Sequence, residues 1–420
     1  MAVKPGFKQT EVGVIPEDWE VKSLGELGSV VRGGSPRPAG DSRYFGGNFI
    51  PWLTVASMTN IAEHQLNVTE TAGFLTEEGS KRSRTLAHGT LIIANSGATL
   101  GVAKILGMDC CANDGIAALV NQRTGDKEYI SHYINTCTKN LREVVATGNG
   151  QPNLNTALIR EISIPFPPMP EQRAIATALS DVDALLGALE RLIAKKRDLK
   201  QATMQQLLTG KVRLPGFHGK WDFKALGELG FIFGGLTGKT KADFGEGSGQ
   251  YITFMNVMSN VVINCDAFER VKVSPTESQN RVMKGDLLFN GSSETPEEVA
   301  LCSILAEDVS NLFLNSFCFG FRFREAVEAD GLFLAYYFRS KSGREMMKSL
   351  AQGSTRYNLS KVAMLKLLLL LPRMPEQKAI AAVLADMDAE LAALEQRLDK
   401  TRTLKQGMMQ ELLTGKTRLL

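Results

Sequence analysis

Residues 169–211 read MPEQRAIATALSDVDALLGALERLIAKKRDLKQATMQQLLTGK. This stretch occurs again 205 residues later, beginning with MPEQ at 374–377 and ending with LLTGK at 412–416. Between residues 169–214 and 374–419, 29 of the 46 aligned positions are identical without a gap. A match of this extent indicates that the chain contains an internal duplication.

Apolar residues in both copies recur at alternating steps of four and three. This spacing predicts a long amphipathic helix with a seam for a partner helix. Pro170 and Pro375 suit the first helical turn, and Gly210 and Gly415 suit the position after the last turn. The seam residues are Ile175, Leu179, Val182, Leu186, Leu189 and Ile193 in the first copy and Ile380, Leu384, Met387, Leu391, Leu394 and Leu398 in the second.

Two interpretations of these helices are open. They are either two ordinary core helices or one antiparallel pair. From Pro170 to Thr209 a helix would extend about 60 Å, at about 1.5 Å per residue. Because the copies are so long and so similar, we favour an antiparallel coiled coil with pseudo-two-fold symmetry.

Length and composition bound the class of protein. With 420 residues, 44% hydrophobic and 22% charged, the chain is typical of a soluble globular protein of two or three domains. It lacks an apolar export signal at its start, and its six cysteines and four histidines show no metal-site spacing. The sequence therefore predicts a cytoplasmic protein without metal or membrane span.

The net charge of +3 is weak evidence about partners. Lys and Arg minus Asp and Glu give −1 for residues 1–168 and +3 for residues 211–373. DNA-binding proteins usually carry a larger basic surplus. A nucleic-acid partner therefore requires basic groups that are clustered in space or supplied by other subunits.

No catalytic motif is visible. Gly234–Thr240 resembles a phosphate-binding loop, but Phe233 stands where that pattern needs a glycine. Glu20–Lys22 has no paired acid upstream for a nuclease metal site. A dinucleotide fingerprint and the Ser/His/Asp or Cys/His arrangements are missing as well. As an enzyme on its own, this chain has no visible chemistry.

The duplication extends beyond the helices. Asp18–Gly28 is echoed by Lys220–Gly230, and Thr147–Leu154 by Gln352–Leu359. Between these segments the halves differ strongly. We therefore divide the chain into a globular domain (1–168), a helix (169–210), a second globular domain (211–373) and a second helix (374–420).

Each globular part mixes strands and helices without strict alternation, which predicts the α+β class. The predicted strands are Ile50–Val55, Thr90–Ala94 and Val102–Leu106 in the first half and Tyr251–Phe254, Asp286–Phe289, Cys318–Phe323 and a buried Leu367–Leu371 in the second. The predicted helices are Tyr129–Val145 and Gly331–Leu350, and Lys211–Phe217 is predicted to be a linker.

The order of these motifs closely resembles the specificity subunit of type I restriction-modification systems. The resemblance covers the whole chain. Besides the two helices, it is carried by Gly13–Trp19, Ile164–Gln172, the LLTGK ends and Arg213–Phe217.

The resemblance implies that each globular domain is a target-recognition domain for one half of an asymmetric bipartite DNA sequence. The helices would act as a spacer and as a dock for two methyltransferase subunits, through which restriction motor-nuclease subunits join. The chain itself would be no enzyme and would bind no cofactor. S-adenosylmethionine, ATP and Mg would be bound by the partner subunits.

Candidate base-reading residues are polar loop residues bracketed by glycines, because Arg reads guanine and Asn or Gln reads adenine. The alternative is that they are ordinary solvated turns. Asn153 and Asn358 align across the halves, which favours a structural role for them. The candidates are Arg32, Ser35, Arg37, Asn95, Ser96, Asn149, Gln151 and Asn153 in the first domain and Lys239, Asn290, Ser292, Ser293, Ser354, Arg356 and Asn358 in the second.

Three other functions stay open from sequence. They are a standalone DNA-modifying enzyme, a coiled-coil scaffold that does not bind DNA, and the specificity subunit of a methyltransferase without a nuclease. The spacer role makes its own prediction. Four residues inserted near Lys195 add about 6 Å of helix and should lengthen the spacer of the recognised sequence.

Overall fold

The two long helices are each shared between two units of the fold. The computed structural model describes residues 4–146 and 152–419. Unit 1 contains the described residues up to Leu192 and those from Leu394 onward, and unit 2 is Ile193–Ala393. Each unit therefore holds one globular domain, the first half of the helix that follows it and the second half of the other helix.

Unit 1 combines thirteen strands with short helices and its halves of the long helices. Strands β1–β13 are Phe7–Thr10, Gly13–Pro16, Glu20–Ser23, Ser29–Arg32, Phe45–Leu53, Asn67–Val68, Phe74–Leu75, Arg84–Leu86, Leu91–Ala94, Ala103–Leu106, Cys110–Ala112, Ile116–Val120 and Ser163–Phe166. Helices α1–α7 are Leu24–Leu27, Val55–Thr59, Glu77–Ser80, Lys127–Thr136, Thr138–Asn140, Thr156–Arg160 and Met169–Leu207, with a π-helical turn at Leu141–Val145.

Unit 2 repeats the plan. Strands β14–β25 are Asp222–Ala225, Gly230–Gly234, Phe244–Ile252, Glu269–Val271, Leu287–Asn290, Ser292–Ser293, Cys302–Ile304, Leu312–Leu314, Cys318–Phe323, Ala351–Gln352, Tyr357–Leu359 and Leu368–Leu371. Helices α8–α13 are Leu226–Leu229, Phe254–Ser259, Gly331–Arg339, Lys341–Lys348, Lys361–Leu365 and Met374–Leu412. Short 3₁₀ turns lie at Lys241–Asp243, Cys265–Ala267 and Pro296–Glu298.

The sheets of the two units correspond. The order β4-β12-β9-β10-β6 in unit 1 matches β15-β22-β18-β20 in unit 2, and β7-β5-β11-β8 matches β17-β16-β21. In both units one strand of the second sheet runs parallel to its neighbour, β11 to β5 and β21 to β16. The α+β class and the internal repeat predicted from sequence are confirmed.

Two predicted strands end earlier than expected, and for the same reason. Thr54 and Thr253 accept hydrogen bonds from Ser57 N and Asn256 N, and each caps a helix that starts at the next residue. Val55 and Phe254 are therefore helical, and the prediction that they end strands is wrong. Threonine suits both a strand and a helix cap, so the sequence alone favoured the wrong one.

The other strand predictions agree within a residue or two, with one correction. Leu368–Leu371 is a strand, but only Leu369 and Leu371 are buried, and Leu368 is 60% exposed. Its side chains alternate because β25 pairs only with the short β14. The apolar run therefore covers one face of a two-stranded sheet and is not buried on both sides.

The long helices pair in opposite directions within each unit. In unit 1, Asp183 binds Lys405 at 2.6 Å and Glu190 binds Arg402 at 2.8 Å. In unit 2, Lys196 binds Glu390 at 2.6 Å, and Lys200 binds Asp388. The number on one helix rises as the number on the other falls, which defines antiparallel packing.

Burial along the helices follows the predicted seam. Nine of the twelve seam residues are buried, and Val182, Met387 and Leu394 are half-buried. The ends of the seam enter the two largest hydrophobic cores, Ile175 and Leu179 in unit 1 and Ile380 and Leu384 in unit 2. Both helices are 39 residues long and end two residues before the predicted Thr209 and Thr414. The second helix, Met374–Leu412, is therefore shorter than the segment 374–420 that the division of the chain assigned to it, because the LLTGK motif ends the helix.

The repeated MPEQ motif makes the same contacts in both units. Gln172 accepts a hydrogen bond from Asp126 N and donates to the Pro167 carbonyl, and Gln377 does the same with Asp330 and Pro372. The glutamine thereby ties the start of each long helix to the start of α4 or α10.

The glutamate of the motif anchors the tail of the other long helix. Buried Glu171 pairs with Arg418 at 2.5 Å and accepts a hydrogen bond from Trp19 Nε1 at 3.1 Å. Buried Glu376 pairs with Arg213 in the same way. The segment Lys211–Phe217, predicted to be a plain linker, is thus fixed at its third residue.

Candidate nucleic-acid interface

Two short loops, one in each unit, occupy the same place in the duplicated fold. We name them the frame loops. Frame loop 1 is Asn113–Gly115, between β11 and β12, and frame loop 2 is Asn315–Phe317, between β21 and β22. Their residues differ by 202 in number, the offset that also relates Trp19 to Trp221.

The backbones of the frame loops make equivalent hydrogen bonds. Asn113 N donates to Leu53 O, and Asn315 N to Ile252 O. The Gly115 carbonyl accepts from Asn95 N at 3.0 Å, and the Phe317 carbonyl accepts from Gly291 N at 2.8 Å. The two frame loops therefore share the same backbone hydrogen bonds and carry different side chains.

A glycine packs directly against the backbone of each frame loop. A Cβ at Gly33 would lie 2.1 Å from the Asn113 carbonyl oxygen, and a Cβ at Gly235 would lie 2.1 Å from that of Asn315. No side chain fits at either position. The segments that follow these glycines, which hold Arg37 and Lys239, are thus held against the frame loops.

In unit 1, four of the predicted residues converge on Asp114. Ser35 Oγ donates to Asp114 Oδ1 at 2.6 Å, and the Arg37 guanidinium lies 3.7 Å from Oδ2. Arg32 Nε and Asn95 Nδ2 both donate to the Asp114 carbonyl, at 2.6 and 3.2 Å. An exposed third arginine, Arg84, donates to the Arg32 carbonyl.

The Asp114 carboxylate orders this cluster and is itself stabilised by it. The hydrogen bond from Ser35 and the nearby Arg32 and Arg37 lower the pKa of Asp114, against a smaller opposing effect of partial burial. The carboxylate is therefore ionised at neutral pH. It lies 3.7 Å from the exposed Arg37 guanidinium, while the Asp114 backbone carbonyl accepts a hydrogen bond from the exposed Arg32. Two exposed arginines beside one residue suit bidentate recognition of guanine.

In unit 2, the corresponding cluster is built around Arg356. Its Nε donates to Ser292 Oγ at 3.2 Å, and its guanidinium lies 5.7 Å from the centre of the Phe317 ring. Ser354 and Asn358 are exposed beside Arg356 on the β23–β24 hairpin, while Ser293 is buried and donates to Glu298. The structure thus brings together Ser292, Ser293, Ser354, Arg356 and Asn358.

The aligned asparagines lie at equivalent positions. Asn153 forms an antiparallel bridge with Ser96, and Asn358 pairs with Ser292 in the β19–β24 ladder. Both pairings attach the segment before α6 or α12 to the strand that leads out of the central sheet. This backbone role agrees with the structural interpretation of these two residues.

Three candidate side chains bind to other groups of the protein and are almost inaccessible to solvent. Asn95 is 1% and Asn290 0% exposed, and Asn290 is hydrogen-bonded to Ser292 O, Glu298 O and Leu301 N. Lys239 is paired with Glu277 at 2.5 Å, with only 7% of its side chain exposed. We correct the candidate interface by removing Asn95, Asn290 and Lys239, and with them Ser292 and Ser293, which are only 7% and 8% exposed, since buried or paired groups do not reach a base.

Sequence reasoning missed two residues of these clusters, Asp114 and Phe317. The signal was available in the 202-residue offset, which aligns Asn113 with Asn315 and exposes the difference at the next two positions. Asn149 and Gln151 lie outside the described residues.

The part of the chain that the structure describes, residues 4–146 and 152–419, contains no group of three or more His, Cys, Asp or Glu side chains that could hold a metal ion. Nor does it contain a helix long and apolar enough to cross a membrane.

The fold and the frame loops define a duplicated protein with two different polar clusters on one repeated scaffold. The sequence belongs to the family described as the type I restriction modification DNA specificity domain, which matches twice, at residues 16–198 and 218–401.

Two curated relatives are similar over nearly the whole chain, and a third over less than half of it. The MjaVIII specificity subunit of Methanocaldococcus jannaschii is 23% identical over 98% of this chain and 96% of its own length. The EcoKI specificity subunit of Escherichia coli is 21% identical over 96% of this chain and 89% of its own length. The MjaIX specificity subunit is 32% identical, over 43% of this chain and 41% of its own. These relatives are specificity subunits, a non-catalytic class.

Solved structures share the fold. The type I restriction-modification S subunit from M. genitalium superposes with a TM-score of 0.58 at 15% identity, covering 97% of this chain and 98% of that one. A chain from a study of type I complex assembly and conformational transition gives 0.57 at 16% identity, covering 96% and 99%. The duplicated two-domain architecture is therefore that of the family.

Proposed function

We propose that this chain reads an asymmetric bipartite sequence in double-stranded DNA, one half with each globular domain. The proposal rests on the two frame loops, because their backbones make equivalent hydrogen bonds while their side chains differ. Because the backbones of the two frame loops are equivalent, both domains can approach DNA in the same way. Different side chains, Asp114 with arginines in one and Arg356 with Phe317 in the other, suit two different half-sites.

The paired helices serve as spacer and dock. Their anchors, Glu171–Arg418 and Glu376–Arg213, are duplicated, so each repeat offers the same surface to one copy of a methyltransferase subunit. Two such subunits bind per chain, and restriction motor-nuclease subunits join through them.

The chemistry resides in those partners. Adenine methylation with S-adenosylmethionine belongs to the methyltransferase subunits, and ATP and Mg are used by the motor-nuclease. This chain contributes binding energy and sets the position of the complex along the DNA. Much of the phosphate contact comes from the partners, in keeping with a net charge of only +3.

The test combines the purified chain with its methyltransferase subunit, labelled S-adenosylmethionine and genomic DNA. Methyl transfer is expected only when both proteins are present, with a footprint on a bipartite site. Transfer by the chain alone would indicate an enzyme, and assembly without a footprint would indicate a scaffold. Cleavage on addition of a motor-nuclease subunit separates a restriction system from a methyltransferase without nuclease.

A further inference from the structure

We propose that Phe317 is a specificity residue of the second domain, which contacts the 5-methyl group of a thymine in the half-site read by that domain. The inference rests on the proposed function and names one chemical feature of its DNA target.

The backbone of Phe317 is fixed on both sides. Its N–H donates to Asn315 Oδ1 at 2.9 Å, and its carbonyl accepts from Gly291 N at 2.8 Å. The following residue is also tied, because Cys318 N donates to Asn315 O. The ring is therefore presented from a rigid loop, so little backbone entropy is lost when it contacts a ligand.

The ring itself is exposed among polar groups. Its residue is 58% exposed, and its neighbours include the Arg356 guanidinium at 5.7 Å and, through Arg356, Ser292. A single exposed apolar side chain needs no explanation on its own. On a fixed loop beside Arg356, it provides an apolar contact next to a hydrogen-bonding arginine.

The first domain indicates that the fold does not require this ring. The equivalent residue is Gly115, and a Cβ there would lie 2.6 Å from the Val55 side chain. Frame loop 1 nevertheless makes the same backbone hydrogen bonds as frame loop 2. A ring present in one unit and absent from the other, on the same frame, is what two different half-sites would require.

Among base edges in the major groove, the thymine methyl is the apolar feature that a side chain can contact. An arginine beside it can bond to the guanine of a neighbouring pair. The Phe317–Arg356 pair thus fits a thymine next to a guanine. A wedge between base pairs and a contact with a protein subunit are the competing roles, and the test distinguishes both.

The experiment uses the complex of the full chain with its methyltransferase subunit on its mapped site. Each thymine of the second half-site is replaced in turn by deoxyuridine, which lacks only the methyl group. At one position we expect affinity to fall about fourfold, the value for burying one methyl group. Phe317→Ala should lose at least that factor on thymine DNA and bind thymine and uracil DNA equally. Phe223→Ala, which removes an exposed ring of another sheet in the same unit, should retain the difference.

Three results would overturn the inference. A Phe317→Ala complex that still distinguishes thymine from uracil would place the methyl contact elsewhere. Equal loss on specific and scrambled DNA would indicate a wedge without sequence preference. Normal DNA binding with weakened subunit assembly would indicate a protein contact. Failure of the proposed function is distinct, because the unmodified complex would then give no footprint.

Discussion

At the residue scale, the polar clusters beside the two frame loops differ in how their arginines are held. Arg32 and Arg37 are ordered by the carboxylate and carbonyl of Asp114, whereas Arg356 is ordered by a hydroxyl and a ring. An arginine whose side chain is held in advance loses less entropy on binding. Through these contacts, a chain with little net charge can still present arginine guanidinium groups in defined positions.

Replacing Arg356 by alanine should weaken binding to the specific site by about 1–3 kcal/mol and relax the base preference at one position, the value for a bidentate base contact. Fluorescence anisotropy with the assembled complex on specific and scrambled DNA measures this. Arg324→Ala, another exposed arginine of unit 2, is the control. Equal losses on both DNAs would show a phosphate contact instead.

Buried His132 should make the stability of unit 1 depend on pH. Burial and the nearby Lys405 and Lys104 ammonium groups lower the pKa of His132 to about 3, even though the Asp183 carboxylate lies 3.9 Å away. Below about pH 6.5 the unfolded chain binds a proton that the folded unit does not. Stability should therefore fall as the pH is lowered from about 6.5 toward 3, by at most about 1.4 kcal/mol per pH unit.

Urea unfolding of the wild type and of His132→Gln, at several pH values between 7.5 and 5, tests this prediction. Burial raises the pKa of Asp183, which works in the opposite direction at lower pH and is present in both proteins. The variant should show the flatter dependence. His218→Gln, a change at an exposed histidine, should behave like the wild type. Parallel curves for the wild type and His132→Gln would refute the assignment.

At the element scale, repetition made the long helices predictable. The steps of four and three and the LLTGK ends placed the limits of both helices within about two residues, although the division of the chain extended the second helix to 420. Contacts between distant parts of the chain were not predictable. In the sequence, Asn95 and Asn290 look like loop residues. Their buried hydrogen bonds join them to Asp114 and Leu301, which lie 19 and 11 residues further along the chain.

The anchor at the end of each long helix should contribute measurably to stability. Arg418→Ala removes two hydrogen bonds to the Glu171 carboxylate, which is 1% exposed, and leaves the one from Trp19 Nε1. Loss of one partner of a buried ion pair costs about 3 kcal/mol or more. Chemical unfolding of unit 1 measures the loss, with exposed Lys400→Ala as the control. Arg213→Ala repeats the test in unit 2, and an Arg418→Ala protein as stable as the control would contradict the anchor role.

At the scale of the whole molecule, the helix pairing sharpens the spacer hypothesis. Because Lys196 pairs with Glu390 and Glu190 with Arg402, an insertion in one helix alone would shift its seam against the other. Seven residues restore a seam that repeats every 3.5 residues. The suitable change is therefore a seven-residue insertion after Ile193 combined with one after Ala393.

The double insertion adds about 10 Å of helix, close to three base pairs at about 3.4 Å each. We expect the recognised spacer to lengthen by about three base pairs while both half-sites stay the same. The single insertion is the control and should impair folding or assembly. An active double-insertion variant with an unchanged spacer would remove the spacer role and leave docking.

The most direct test of the central claim is a long-read map of methylated adenines in a host that expresses this chain with its methyltransferase subunit. We expect one motif with two different specified halves separated by a spacer of fixed length and unspecified sequence. Substitutions in frame loop 1 should alter one half only, and substitutions in frame loop 2 the other. A continuous motif, two identical halves, or a change in both halves from one loop would contradict it.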